Sequence, residues 1–382
     1  MVVGIVKEMF PLEHRVAITP DVGATLGEVS LLLESGAGAS AGFSDVAYEA
    51  RGFEVVDRQT VYAQADVLMQ VRTPGANLKS GADDLELLRA NQILMGMAEP
   101  LVAHEMTEAV ARCGVTLFGM ELIPRITRAQ NMDVLSSMAT VSGYKASLLA
   151  AHELPRMFPL MMTASGTVRP SRVLVIGAGV AGLQAIATCR RLGAVVQAYD
   201  VRPTVKEQVE SLGADFVDLD LDTGEAEDVG GYARSQGEDF YNTQRERLAQ
   251  VVAEQDVVIT TAAIPGKPSP LLITKDAVKA MPQGSVIVDL AAERGGNCAL
   301  TQADETVVEC GVKIMGPTNL PATAPYHASQ MYANNLANFF KLIFVEDQIT
   351  IDLEDEIIKE TLVTKDGAVV NDRVKEAMNY AE

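Results

Sequence analysis

The chain has 382 residues and a formal net charge of −20, from 51 Asp and Glu against 31 Lys and Arg. At about 150 residues per domain, that length holds two or three domains. The acidic field repels phosphate backbones and excludes nucleic-acid binding as the main task. A hydrophobic fraction of 48% is enough for sizeable cores and too high for a disordered chain.

No uninterrupted apolar run approaches the ~18 residues of a membrane span, and Met1–Glu8 lacks the basic start and long apolar stretch of a signal peptide. No direct membrane insertion is therefore expected. The cysteines, Cys113, Cys189, Cys298 and Cys310, form no CxxC pair and are too sparse for a disulfide scaffold, which suits a reducing, cytoplasmic compartment. The histidines are scattered with no HExxH or Cys/His cluster, so no metal site is expected.

In chain order, β-branched runs predict strands at Val2–Val6, Phe53–Val56, Asp66–Val71, Gln92–Met95 and Val115–Phe118. Helical patterns fall at Asp83–Ala90 and Ala103–Arg112. Val134–Leu154 reads as one long helix stopped by Pro155, able to bridge two lobes. Further strands follow at Arg172–Ile176, Val195–Tyr199, Asp256–Thr260 and Val286–Leu290, with helices at Leu183–Leu192, Val205–Leu212 and Asn335–Phe344. Alternation of this kind, with near-continuous apolar strands, predicts an α/β fold. It consists of two Rossmann-like lobes, each a mostly parallel sheet flanked by helices, with a nucleotide cleft between them. The expected division is residues 1–134 plus 326–382 for the first lobe and 135–325 for the second. Asp215–Asp239, with nine acids and one base, is expected to be largely a solvated loop.

One motif carries specific chemistry. The buried-strand pattern Arg172–Ile176 runs into Gly177-Ala178-Gly179-Val180-Ala181-Gly182 and then a helix. This is GxGxxG in its proper setting. Gly177 permits the turn, Gly179 lets a pyrophosphate approach the backbone, and Gly182 lets helix and strand pack closely. The helix N-terminus offers free N–H groups to the anion. The next strand ends in Asp200, eighteen residues beyond Gly182, placed to accept hydrogen bonds from the adenosine ribose and to repel a 2′-phosphate. NAD(H) is favoured over NADP(H), although Arg202 could accept such a phosphate.

Beyond this motif, Lys7-Glu8, Arg15–Pro20, Met162–Thr167, Lys206–Val209, Ile264–Pro268 and Val288–Asn297 resemble the alanine dehydrogenases and the NAD(H)-binding component of proton-translocating nicotinamide nucleotide transhydrogenases. Two segments separate these. Met120–Ser137 resembles the transhydrogenase loop around the nicotinamide, and Gly230-Gly231-Tyr232-Ala233 is similar to its mobile loop. The resemblance implies that Arg125 positions the nicotinamide nucleotide, with Ile126, Thr127 and Arg128 alongside. It implies that Gln130 contacts the ribose of an incoming NADP(H), and that Asp133 and Ser136 hold the carboxamide. It makes Tyr232 a lid. Val180, Val201, Arg202, Gly231, Gln244 and Ala263 join the NAD(H) site on the same ground. Helix capping is a second reading for Asp133 and Ser136. Tyr144 supports the site or packs in the core.

Alanine-type chemistry needs a carboxylate clamp and a proton-transfer group. In the dehydrogenases these are an Arg, a Lys and a His. Arg15 matches the first, but the other two positions hold Gln70 and Met97. Hydride transfer between two nicotinamides needs no such groups, only two rings held face to face without water.

The chain has a single dinucleotide fingerprint, so NADP(H) must lie on a partner subunit, and the proton channel on another. The resemblance implies a homodimer, an NADP(H)-binding beta subunit and a separate membrane-spanning alpha part. It would hold this chain on the cytoplasmic face of the inner membrane through those partners. An amino-acid dehydrogenase with displaced catalytic groups and a non-catalytic NAD(H) sensor are the alternatives.

Overall fold

Runs of apolar residues with both faces covered form the central strands of the two large sheets. The computed structural model describes residues 1–221, 238–263 and 268–379. The chain divides into two units, Met1–Met138 with Pro321–Glu382, and Ala139–Leu320.

The strands in chain order begin with β1 (Val2–Ile5), β2 (Ser30–Glu34), β3 (Phe53–Val56), β4 (Val67–Arg72), β5 (Ile93–Met97) and β6 (Thr116–Gly119). A hairpin, β7 (Met161–Thr163) and β8 (Gly166–Val168), precedes β9 (Arg172–Ile176), β10 (Val195–Tyr199) and β11 (Asp215–Phe216). Then come β12 (Val257–Thr260), β13 (Val286–Asp289), β14 (Thr306–Glu309) and β15 (Val312–Met315). The last are β16 (Phe344–Val345), β17 (Gln348–Ile349), β18 (Leu362–Lys365) and β19 (Ala368–Val369).

In the first unit an eight-stranded sheet has the order β19-β18-β6-β5-β4-β1-β2-β3. Strands β1 to β6 pair in parallel, while β18 lies antiparallel on β6. In the second unit the order is β11-β10-β9-β12-β13-β15-β14, parallel except for β14. Both are doubly wound sheets, whose order reverses beside the first strand.

The second sheet shows why its strands read as unbroken apolar runs. Val173, Val175, Val257, Ile259, Val286 and Val288 face one core, and Leu174, Ile176, Val258 and Ile287 face the other. Successive side chains point to opposite faces, so a sheet covered on both sides needs an apolar residue at every position.

The predicted strands form, within a residue or so at their ends. The long helix spans Val134–Glu153 and stops before Pro155, whose ring cannot continue it. Three expectations are corrected. The helix foreseen at Asp83–Ala90 is a short one, Gly81–Leu85. Asn335–Phe344 is only the second half of a helix, Pro325–Ile343. Of Asp215–Asp239, residues 222–237 lie outside the described residues; at its edges Asp215–Phe216 pairs with β10, and a helix runs Glu238–Val252. Tyr144 is 45% exposed and is not a core residue. Among the described residues no helix is long and apolar enough to cross a membrane.

Candidate nucleotide site

At the end of β9 the chain turns at Gly177, whose φ of +96° suits glycine, and its N–H donates to the Tyr199 carbonyl at 2.8 Å. A Cβ here would meet Thr261 Oγ1 at 2.5 Å. Gly182, in the helix Val180–Arg191, lies so close to the turn that a Cβ would stand 1.8 Å from the Gly177 carbonyl oxygen. Gly179 is different: among the described residues, no atom beyond its own chain neighbours comes within 4 Å of its missing Cβ. It also forms the N-cap and offers no side-chain acceptor. The leading N–H groups and the positive end of the helix dipole thus face open space, which fits a pyrophosphate.

Asp200 follows β10 and joins this turn directly. Its Oδ2 accepts from the Ala178 N–H at 2.7 Å. Its remaining capacity is taken by Arg202. The backbone N–H and Nε donate to Oδ1 at 2.8 and 2.9 Å, and Nη2 donates to Oδ2 at 2.8 Å. Both side chains are largely buried, at 6% and 13% exposure. The two residues that the sequence assigned separately to the ribose are thus one closed fork.

Beside the fork lies a cavity of about 260 Å³, lined among others by Tyr199, Asp200, Val201, Phe216 and Leu219. Gln244 is buried and donates to Tyr199 Oη at 2.7 Å, while its own Oε1 has no hydrogen-bond partner among the described residues. Burial pushes the Tyr199 phenol up to about 12, so it stays neutral.

Ala263 is exposed, next to a firmly held residue. Asn297 Oδ1 accepts from the Ala262 N–H at 3.0 Å, and Nδ2 donates to the Ala262 and Pro270 carbonyls at 2.8 and 2.9 Å. Asn297 is itself anchored on buried Asp289. That carboxylate also accepts from Thr260, Ala291, Cys298 and Thr301. Residue types alone gave this brace no role. Its signal was present in the run Val288–Asn297, where an Asp stands at the end of an apolar strand.

The remaining assigned residues that are described lie in the first unit. A 3-10 turn, Thr127–Met132, is seated by buried Ala129 and Met132. The Asn131 carbonyl accepts from Asn335 and Asn338 at 2.9 and 3.1 Å. So fixed, the turn leaves Arg125, Thr127, Arg128 and Gln130 exposed and Ile126 half-buried. Arg128 is engaged on the protein itself, donating from both Nη atoms to Asp355 at 2.6 and 2.8 Å. That pair holds the Asp355 carboxyl below its usual range. Asp133 accepts from Ser136 N–H and Oγ at 2.9 and 2.5 Å, capping the helix that starts at Val134. The capping reading is therefore real and leaves room for a second role. Gly231 and Tyr232 lie outside the described residues.

Arg15 is 2% exposed and forked onto Glu13. Its backbone N–H and Nε donate to Oε1 at 3.1 and 2.7 Å, and Nη2 donates to Oε2 at 2.6 Å. Arg72 Nε reaches the same carboxylate at 3.2 Å. Gln70 is buried and donates to Tyr62 Oη and Asp84 at 3.2 and 3.4 Å. Met97 closes β5 and is half-buried. Neither side chain can carry a proton.

Comparison with known proteins agrees with this geometry. Two family models cover most of the chain, the alanine dehydrogenase/PNT N-terminal domain over residues 4–142 and its C-terminal domain over 146–372. The chain is 46% identical over 377 residues to the first part of NAD(P) transhydrogenase subunit alpha from Rhodospirillum rubrum, covering 97% of this chain and 98% of that one. It is 43% identical to NAD(P) transhydrogenase subunit alpha of Cereibacter sphaeroides, over 97% of this chain and 71% of that longer protein. A solved structure of transhydrogenase from Sinorhizobium meliloti superposes with a TM-score of 0.85 at 42% identity, covering 97% of this chain and all of that one.

Proposed function

The chain belongs to the alanine dehydrogenase/PNT family, among the alpha-subunit transhydrogenases, and from that premise we propose that it is the NAD(H)-binding component of a proton-translocating transhydrogenase. NADH held here supplies a hydride to NADP⁺ on a partner subunit, with proton passage coupled through separate membrane subunits. The observation that carries this reading is the glycine turn, where an uncapped helix and open space at Gly179 adjoin Asp200.

The residues divide the work. Gly177, Gly179 and Gly182 with the Val180 helix hold the pyrophosphate. Asp200, Val201 and Arg202 hold the ribose, and Gln244 and Ala263 flank the adenosine end. Arg125, Ile126, Thr127 and Arg128 position the nicotinamide nucleotide, Asp133 and Ser136 orient its carboxamide, and Gln130 meets the NADP(H) ribose. Tyr232 and Gly231 close over the site. None of these groups needs to move a proton at the reacting carbon; their task is orientation and exclusion of water. A buried amide at Gln70 and a thioether at Met97 support this over amino-acid oxidation.

The partners in this reading are a second copy of the chain, an NADP(H)-binding beta subunit and a membrane-spanning alpha part. A relative named as only the first part of an alpha subunit supports a divided subunit, and a second copy suits the β7–β8 hairpin, where Met162 is 80% exposed. These partners hold the chain against the cytoplasmic face of the membrane. The test is direct. NADH should bind the isolated chain, and hydride transfer to a nicotinamide analogue should appear only after the NADP(H)-binding partner is added. Steady reduction of NAD⁺ by alanine with this chain alone refutes it.

A further inference from the structure

The Asp200–Arg202 fork raises a problem for the acid's assigned task. A carboxylate has about four lone-pair positions for hydrogen bonds. At Asp200 the protein supplies four donors: Ala178 N–H, Arg202 N–H, Arg202 Nε and Arg202 Nη2. Two of these are backbone groups that cannot leave. They tie the acid to the glycine turn and to its own loop. The other two belong to one guanidinium at the end of a flexible stem, and they occupy the positions a ribose diol would need.

We propose that Arg202 is a resident occupant of the ribose subsite, and that dinucleotide binding is an exchange in which the ribose hydroxyls replace its guanidinium on Asp200. The inference rests on the reading of this turn as an NAD(H) site. It changes the role of Arg202 from one more ligand contact to a specificity-determining competitor. An acid this buried stays paired in the free protein, which avoids the cost of an isolated charge. Only a donor can take the guanidinium's place. A ribose hydroxyl has a proton to donate. A 2′-phosphate is largely dianionic at neutral pH and has none, so it cannot complete the exchange and would leave Asp200 with only its two backbone donors beside two further negative charges. The fork thereby adds a hydrogen-bond criterion to the charge repulsion by which such an acid rejects NADP(H). A cavity adjoins the fork, lined by Asp200 and by both chain neighbours of Arg202, Val201 and Pro203.

The test measures dissociation constants by calorimetry on the full chain, with NADH, 5′-AMP and 2′,3′-dideoxy-AMP as probes. Arg202→Ala removes the competitor and Arg202→Met keeps the apolar stem. If roughly nine-tenths of the free protein holds the fork closed, its removal should tighten NADH about tenfold. The preference for 5′-AMP over its dideoxy counterpart should widen by a similar factor in both variants, because only the diol competes with the guanidinium. Weaker NADH binding with an unchanged or narrower diol preference, in whichever variant folds, overturns the exchange and makes Arg202 a direct contact. Failure of the unaltered chain to bind either NADH or 5′-AMP instead refutes the nucleotide site, and the exchange with it.

Discussion

The two units solve the same topological situation in opposite ways. Each is a doubly wound sheet whose order reverses between its first and fourth strands, β1 and β4 in one and β9 and β12 in the other. Ligands of such sheets bind at that reversal, beyond the carboxyl ends of the strands. In the second unit the chain leaves β9 through Gly177-Ala178-Gly179, with open space over Gly179. In the first it leaves β1 through Val6-Lys7-Glu8, and the Glu8 carboxylate takes the Val71 and Arg72 N–H groups of β4 at 2.6 and 3.1 Å.

Each unit also carries an acid two residues before an arginine, with the same bonding pattern. The Glu13 and Arg15 side chains are at most 2% exposed and share their charge with Arg72. Asp200, paired with Arg202, lines a cavity. The sheet therefore provides a location, and the loops decide whether the chain fills it or leaves it to a ligand.

The largest effect that would break this comparison concerns stability. Glu13→Ala leaves Arg15 and Arg72 without their shared carboxylate and should cost about 3–5 kcal/mol in denaturant unfolding. Asp200→Ala, at the edge of a cavity that admits water, should cost about 1–2 kcal/mol. Equal losses would show that the two forks are the same structural device. Next in size is affinity. Asp200→Asn keeps the shape but weakens charge-assisted bonds to the ribose, and titration should show NADH binding about tenfold weaker, or about 1.4 kcal/mol. An unchanged affinity would remove Asp200 from the site.

The smallest effect sharpens the comparison through pH. Burial, then the neighbouring Glu13 carboxylate, pushes the Glu8 carboxyl up to about 8 from its ordinary 4.5. The folded state thus holds this proton more tightly than the unfolded chain. Its contribution to stability is complete below pH 4.5 and is lost as pH rises toward 8. Glu8→Gln should flatten the fall of Tm across that window. A slope identical to that of the unaltered protein would place the titration elsewhere.

Much of the second unit was legible from its residues. Arg172–Ile176 is a strand because five apolar or long side chains sit before a glycine turn, and Gly177–Gly182 can fold only one way once that turn is made. Other elements were not legible. Ser30–Glu34 and Val312–Met315 are short apolar runs, which as strands or helix segments look alike. Asp83–Ala90 has helical spacing but closes early. At the site, Gly177, Gly179, Gly182 and Asp200 stand out because backbone shape and charge are local properties. Asn297 behind Ala262, Asp355 on Arg128 and Asn335 under Asn131 do not, because their partners lie 35, 227 and 204 residues away.

The sequence by itself determined the α/β class, the glycine turn after β9 and the absence of a proton-transfer group at Gln70 and Met97. These follow from residue type and short-range spacing, which act within one strand–turn–helix. Only the tertiary structure decided how the acids are used. It closed Asp200 with Arg202, buried Glu13 against Arg15 and set Glu8 on the end of β4. The strength of a carboxylate's hydrogen bonds depends on which donors the fold brings within 3 Å and on how much water it removes, and neither is written in the order of residues.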